Sequence, residues 1–331
     1  MMTPLITATM RITAARITAA IAIALAPAGG VLAQAWPQRP VKIIVPYAAG
    51  GNTDAIARLT AERLTSVLGQ QFIVENRAGA GGAIAAEYVA KSPADGYTLF
   101  VAALSQFGPV PLTQKVGYDP LKDFAPISNI GANAFVIAVG NNVPVATLKE
   151  FVDYVRARPD TLNYSSGGTG SLTHLAGALF LNQAGIKMLH VPYKGGAPAL
   201  ADLLGGQVQM YTGSPSELIG HARSGKLKLL GISSAKRNPQ LPDVPAIAEL
   251  YPKFSALTWN GLLAPAATPA AVVERVSQEM LKAMRDQAFL ERLAKIGVDP
   301  VVTTPAEFSD SIRADYAMWR DVIKSAGLAI E

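Results

Sequence analysis

Two stretches of this chain place glycines and small hydroxyl residues between an apolar run and a helical one, and both have the makings of an anion site. The first is Tyr47-Ala-Ala-Gly-Gly-Asn-Thr-Asp54 and the second Ser165-Ser-Gly-Gly-Thr-Gly-Ser171. Glycines let the backbone turn several N–H groups toward one point, and the start of the following helix adds free amides with partial positive charge. Facing each other across a cleft, two such loops would hold both ends of a small dicarboxylate without any arginine. Each loop is equally well a tight turn, and the residues alone leave both readings open.

Other polar residues near these loops invite sharper readings. Asp54 reads first as a carboxylate favoured by the helix dipole, and alternatively as a partner for a ligand ammonium or hydroxyl. Ser171 and His174 stand three apart at a helix start, a spacing that suits a capping serine far better than a nucleophile and its base. No G-x-S-x-G elbow accompanies them, so a periplasmic serine hydrolase is the weakest alternative and no enzymatic activity is expected. His190 and His221 show no ligand spacing with His174, and a metal site is not expected. Lys194 follows Tyr193 and precedes Gly195-Gly196; it would attract a carboxylate or simply lie in solvent. Nucleotide motifs are missing: there is no G-x-x-x-x-G-K-[ST], and Gly79-Ala-Gly-Gly-Ala-Ile84 lacks the third glycine of a dinucleotide fingerprint. No cofactor is implied.

The elements that must position these residues alternate between strand and helix signals, the mark of an α/β fold. Val41–Val45 is a short apolar strand feeding the first loop. Ile56, Leu59, Leu64, Val67 and Leu68 then share one helix face, which Gly69 ends. Strands are expected at 71–75, 96–101, 134–139, 187–191, 208–211 and 227–232. Capping boxes at Thr147/Glu150 and Thr304/Glu307, and Pro269, mark later helix starts. No linker separates two halves of the chain, so crossover strands joining two lobes are expected, with a cleft at the carboxyl ends of strands.

Composition bounds the rest. The chain has 331 residues, 50% hydrophobic and 16% charged, a globular balance with length for two cores. Its formal net charge is +5, and its basic residues are scattered with no basic stripe, so no nucleic-acid partner is expected. Arg11 and Arg16, the apolar run Ile17 to Ala26 and Ala33-Gln34-Ala35 read as a cleaved signal peptide over residues 1–35, with Trp36 the mature N-terminus; Met10 is an alternative start. Without Arg11 and Arg16, 27 basic face 24 acidic residues, about +3. An uncleaved anchor over 17–38 is the alternative, against which Pro27 and Gly29-Gly30 argue. The absence of cysteine removes disulfides, thiolate metal sites and a lipid-bearing cysteine after the signal.

Several motifs in order then resemble one family. Arg39-Pro-Val-Lys-Ile-Ile-Val-Pro-Tyr-Ala-Ala-Gly-Gly51 with Asp54 and Arg58, Val74-Glu-Asn-Arg77, Gly79-Ala-Gly-Gly82 and Pro93-Ala-Asp-Gly-Tyr-Thr-Leu99 are similar to the Bug receptors. So are Tyr118-Asp-Pro, Asp123-Phe-Ala-Pro-Ile127, Val191-Pro-Tyr-Lys-Gly195, Leu241-Pro-Asp-Val-Pro245 and Gly261-Leu-Leu-Ala-Pro265. These are the extracytoplasmic solute receptors of the tripartite tricarboxylate transporter family, and the resemblance spans essentially all of the mature chain. It implies a type II periplasmic-binding-protein fold, a Venus flytrap, with residues 36–138 and 259–331 in one lobe and 139–258 in the other. It implies a small carboxylate bound between the lobes of a periplasmic monomer. The partner would be a membrane permease or, alternatively, a membrane sensor kinase. The first loop's share of the site falls on Tyr47, Ala48, Ala49, Gly50, Gly51 and Asp54, and the second loop's on Ser165, Gly168, Thr169, Ser171 and His174. Ser105 and Gln106 match more weakly, Tyr193 follows from its motif, and Thr212 and Gly213 fall where ligand choice is tuned.

Overall fold

The computed structural model describes residues 36–252 and 254–325. The signal-peptide reading of residues 1–35 lies outside them. By internal contacts the chain divides after Gln38. Of the first unit only Trp36 to Gln38 is described, with a cis Trp36–Pro37 bond.

From Arg39 onward the chain builds two sheets. In order come β1 (Val41–Val45), α1 (Asn52–Leu68), β2 (Phe72–Asn76), α2 (Ala83–Ala90), β3 (Thr98–Ala103), α3 (Pro109–Thr113), β4 (Phe124–Ala134) and β5 (Val136–Gly140). Next are α4 (Leu148–Arg156), β6 (Asn163–Ser166), α5 (Leu172–Ala184), β7 (Leu189–Pro192), α6 (Gly196–Leu204), β8 (Met210–Gly213), α7 (Pro215–Arg223) and β9 (Leu227–Ile232). Last come β10 (Leu257–Pro265), α8 (Ala270–Ala283), α9 (Gln287–Lys295), β11 (Asp299–Pro300) and α10 (Pro305–Ser325).

One sheet has the order β11-β4-β10-β3-β1-β2 and the other β7-β6-β8-β5-β9. In the first, β1 runs parallel to β2 and β3, while β10 runs antiparallel to β3 and β4. In the second, β6 is parallel to β7 and β8, and β5 is antiparallel to β8 and β9. The parallel strands are why both loops open toward helix starts on the same side of each sheet.

The chain changes sheet twice, at Phe135 and over residues 233–256. The divisions expected at 138/139 and 258/259 therefore fall inside β5 and β10, whose sheet partners keep each strand whole. Ser233 ties the two crossings together. Its Oγ accepts the Phe135 amide at 2.8 Å, and its own amide donates to the Phe135 carbonyl at 2.8 Å.

The cores follow from the alternating apolar pattern. Ile44, Phe100, Phe107, Phe124, Trp259 and Phe308 fill one cluster beside the first sheet, and Leu172 and Ala176 of α5 join it from the second lobe. The second sheet is covered on both faces, by Phe151, Phe180 and Met210 on one and by Leu200, Tyr211 and Leu218 on the other. Each large side chain so buried contributes about 1.5–3 kcal/mol. On α1 the buried face is Ile56, Ala57, Thr60, Ala61 and Leu64, so Leu59, Val67 and Leu68 sit at its margin. The Thr60 hydroxyl is accommodated because it donates back to the Ile56 carbonyl. The Thr147/Glu150 and Thr304/Glu307 caps both form. The uncharged stretches 124–148 and 254–273 hold β4, β5 and β10 with turns and reach the first residues of α4 and α8, and no described helix is long and apolar enough to cross a membrane.

Candidate functional site

The first loop leaves β1 at Val45 and ends where Gly51 caps α1. Gly50 takes φ +89°, a left-handed conformation that glycine adopts without strain. Three amides of this loop and the helix start already have partners. The Ala48 amide donates to the Lys194 carbonyl at 3.0 Å, the Gly50 amide to Asp54 Oδ2 at 3.0 Å, and the Asn52 amide to Glu217 Oε1 at 3.0 Å. Lys194 and Glu217 belong to the other lobe.

Asp54 braces this loop. It is buried, accepts the Arg58 guanidinium at 2.9 and 3.0 Å, and accepts Asn76 Nδ2 at 2.9 Å. Burial alone would raise its pKa, but Arg58, the Gly50 amide and Asn76 together hold it below the usual carboxylate range. Its lone pairs are spent inside its own lobe. Tyr47 points into the cleft: its hydroxyl donates to Ser105 Oγ at 3.1 Å and accepts from Gln106 Nε2 at 3.0 Å. Burial raises the Tyr47 pKa, so the phenol stays protonated.

The second loop joins β6 to α5. Gly167 donates to Thr173 Oγ1 at 2.8 Å, Gly168 to Ser166 Oγ at 3.1 Å, and Gly170 to His174 Nδ1 at 3.3 Å. Ser171 is the N-cap, its Oγ accepting the His174 amide at 3.3 Å. The His174 ring therefore takes its hydrogen bond from Gly170 rather than serving Ser171 as a base. His174 stacks on His190 with ring centroids 4.0 Å apart, and His190 Nε2 lies 2.7 Å from Ser166 Oγ. Burial lowers both histidine pKa values, that of His190 to about 4 with help from His174.

The two lobes meet along these loops. The Leu172 amide, first in α5, donates to Ser105 Oγ at 3.1 Å, and Gln114 Nε2 donates to the Thr169 carbonyl at 2.8 Å. Glycine permits the approach. A Cβ on Gly81 would lie 2.6 Å from the Thr169 carbonyl oxygen, and one on Gly195 would lie 2.9 Å from the Ala48 amide nitrogen.

A cavity of about 50 Å³ lies between the lobes. Of the expected site residues, Tyr47, Gly51, Ser105 and Ser171 line it. Ala48, Ala49, Gly50, Gly168 and Thr169 belong to the loops around it, and Asp54 and His174 stand behind them. Gln106 is fully buried and spent on the Ala103 amide, the Gly81 carbonyl and Tyr47. Ser165 faces the Ala199 and Met210 carbonyls, Tyr193 bonds Asp202, and Thr212 Oγ1 is buried beside Gly177. Gly213 abuts Tyr211 and Glu217.

Sequence reasoning missed the groups that close the cavity. Thr53 Oγ1 donates to Asn260 Oδ1 at 2.9 Å, Asn260 Nδ2 to Asn133 Oδ1 at 3.2 Å, and Asn133 Nδ2 to Ser214 Oγ at 3.2 Å. Asn52 Nδ2 donates to Ser216 Oγ at 2.8 Å. Glu217 accepts the Tyr211 hydroxyl at 2.7 Å and the Ser214 amide at 3.2 Å besides Asn52. Desolvation raises the Glu217 pKa against the pull of those donors. A signal existed: Ser214-x-x-Glu217 before Leu218 is a capping box. Among the described residues no three His, Asp or Glu side chains converge to hold a metal.

Comparison with known proteins gives this architecture its relatives. The family model for the tripartite tricarboxylate transporter family receptor matches residues 56–328. Protein BugT of Bordetella pertussis is 35% identical over 322 residues, covering 96% of this chain and 99% of BugT. A solved R. palustris protein holding adipate superposes with TM-score 0.86 at 35% identity, covering 89% of this chain and 99% of that one. MatC from Rhodopseudomonas palustris, solved with malate, has TM-score 0.81 at 32% identity, covering 87% of this chain and all of MatC.

Proposed function

The chain belongs to the tripartite tricarboxylate transporter receptor family, and on that footing we propose that it captures a small carboxylate in the periplasm and delivers it to a membrane permease. Its fold is the two-lobed one of periplasmic binding proteins. The observation that carries the proposal is the cavity itself. Both lobes supply its walls, helix starts open onto it, and its lining is rich in hydroxyl and amide groups beside the one carboxylate of Glu217. The relatives solved with adipate and malate lend the ligand class.

The mechanism follows from what crosses the cleft. Ser105 with Leu172, Ala48 with Lys194, and Gln114 with Thr169 make hydrogen bonds that exist only when the lobes are together. Each contributes about 0.5–1.5 kcal/mol net, so a ligand touching both walls has enough leverage to shift the open–closed equilibrium. The crossings at Phe135 and Ser233 are the natural hinge, because the hydrogen bonds between these two residues tie one crossing to the other. Closure would present the permease with a surface that spans both lobes.

The test is thermal unfolding of residues 36–331 with mono-, di- and tricarboxylates, after unfolding and refolding to remove any copurified ligand. A ligand at 100 times its Kd adds about 2.7 kcal/mol, a clear rise in Tm. No shift with any carboxylate would overturn the proposal.

A further inference from the structure

The cavity holds one carboxylate of its own. Among the residues lining it Glu217 is the sole carboxylate, and no lysine, arginine or histidine accompanies it. The Glu217 oxygens lie at the start of α1, where Oε1 meets the Asn52 amide of the opposite lobe. Two glycines make room for it there: a Cβ on Gly196 would lie 2.3 Å from Oε1, and one on Gly51 would lie 3.2 Å away. The Tyr211 hydroxyl and the Ser214 amide hold Oε2 from behind, so the carboxylate cannot swing back without losing both.

This placement has a chemical consequence. The α1 start is where a ligand carboxylate would otherwise find free amides, and Glu217 already occupies it. A second anion brought there meets a like charge in a medium that screens poorly. A buried carboxylate that lacks a cation is itself unfavourable, and an arriving ammonium offsets that cost. The other wall is neutral and rich in hydroxyls, with Ser105, Ser171 and Thr173 beside the α5 start. Ser105 Oγ accepts from Tyr47 and Leu172, which leaves its own proton to donate to the ligand's carboxylate.

We propose that Glu217 sets the chemical class of the ligand, selecting a carboxylate that also carries a protonated amine over a dicarboxylate. The inference rests on the receptor reading above and narrows it. Asp54, the residue whose type and position first suggested an ammonium partner, is committed to Arg58 and Asn76, and Glu217 takes that role instead.

The experiment is calorimetric titration of wild type and Glu217→Gln with matched compounds of three to six carbons: alkanoates, their α- and ω-amino derivatives, and dicarboxylates. Wild type is expected to bind an amino derivative about thirtyfold more tightly than the dicarboxylate of the same length. Glu217→Gln is expected to erase that ratio, weakening the amine and strengthening the diacid. Wild type binding the dicarboxylate equally or better overturns this inference and leaves the receptor reading standing; that comparison needs no variant. An unchanged ratio in folded Glu217→Gln also overturns it. Failure of every carboxylate with both proteins overturns the receptor reading instead, and this inference with it.

Discussion

The two glycine-rich loops look alike in sequence and are held by opposite chemistry. The first is braced by charge: Gly50 donates to Asp54, and Asp54 is paired with Arg58. The second is braced by neutral groups, with Gly167 on Thr173, Gly168 on Ser166 and Gly170 on a histidine ring. In both, several amides that glycine turns inward are already satisfied, either locally or by the opposite lobe. A glycine-rich spelling therefore predicts a turn at a helix start but not which amides remain free for a ligand. The bracing also sets how each loop responds to mutation and to pH.

The sharpest way to break this comparison is to remove the charged brace. Asp54→Ala leaves the Gly50 amide without its acceptor, Asn76 Nδ2 with only the Tyr47 carbonyl, and Arg58 without its partner. We expect a loss of about 3 kcal/mol in urea unfolding at pH 7, less than a fully buried pair would cost because Arg58 is half exposed. The difference from wild type should shrink as pH falls through the depressed Asp54 pKa, since that stabilisation exists only while the carboxylate is ionised. A loss that persists undiminished into strong acid would assign the effect to packing and not to charge.

Only the place of Asp54 at the helix start was read from the sequence, although the rest of the brace is largely local. Asp54 reaches Gly50 four residues back and Arg58 four residues on, distances at which type and spacing suffice. The strands that end at the loops, the Ser171 cap and the Thr147/Glu150 box were legible because they too are local. Glu217 was not, since it meets Asn52 across 165 positions of sequence. Its capping box could be read, but the direction of its carboxylate depends on how the second lobe docks on the first. Asn133 and Asn260 were hidden differently. They meet through the antiparallel pairing of β4 with β10, and each looks like an ordinary polar interruption of an apolar strand.

A smaller effect is expected from the neutral brace. Thr173→Val keeps the shape of the side chain and removes the acceptor of the Gly167 amide. The expected loss is about 1 kcal/mol, the cost of one unsatisfied amide near a cavity where water can partly replace the hydroxyl. Urea unfolding at pH 7 measures it beside Asp54→Ala. If the two variants cost the same, the distinction between charged and neutral bracing is wrong.

The least costly test uses pH alone. His174 Nδ1 accepts the Gly170 amide, so that ring nitrogen must be unprotonated in the folded state, and His190 lies stacked 4.0 Å away. Both folded pKa values lie below the ordinary 6.5, that of His190 at about 4. Across the interval from 6.5 down to about 4 the unfolded chain therefore binds more protons than the folded one. Stability from this pair is complete above 6.5 and is lost progressively as pH falls toward 4. Asp54 stays ionised throughout that interval, so the first loop should be indifferent to it. Hydrogen exchange at pH 7.5 and pH 5, corrected for intrinsic rates, should show protection falling at Gly167, Gly168 and Gly170 while Gly50, whose acceptor is Asp54, holds steady. Equal loosening of both loops would mean that acid acts on lobe closure as a whole, and the histidine pair would then have no separate hold on its loop.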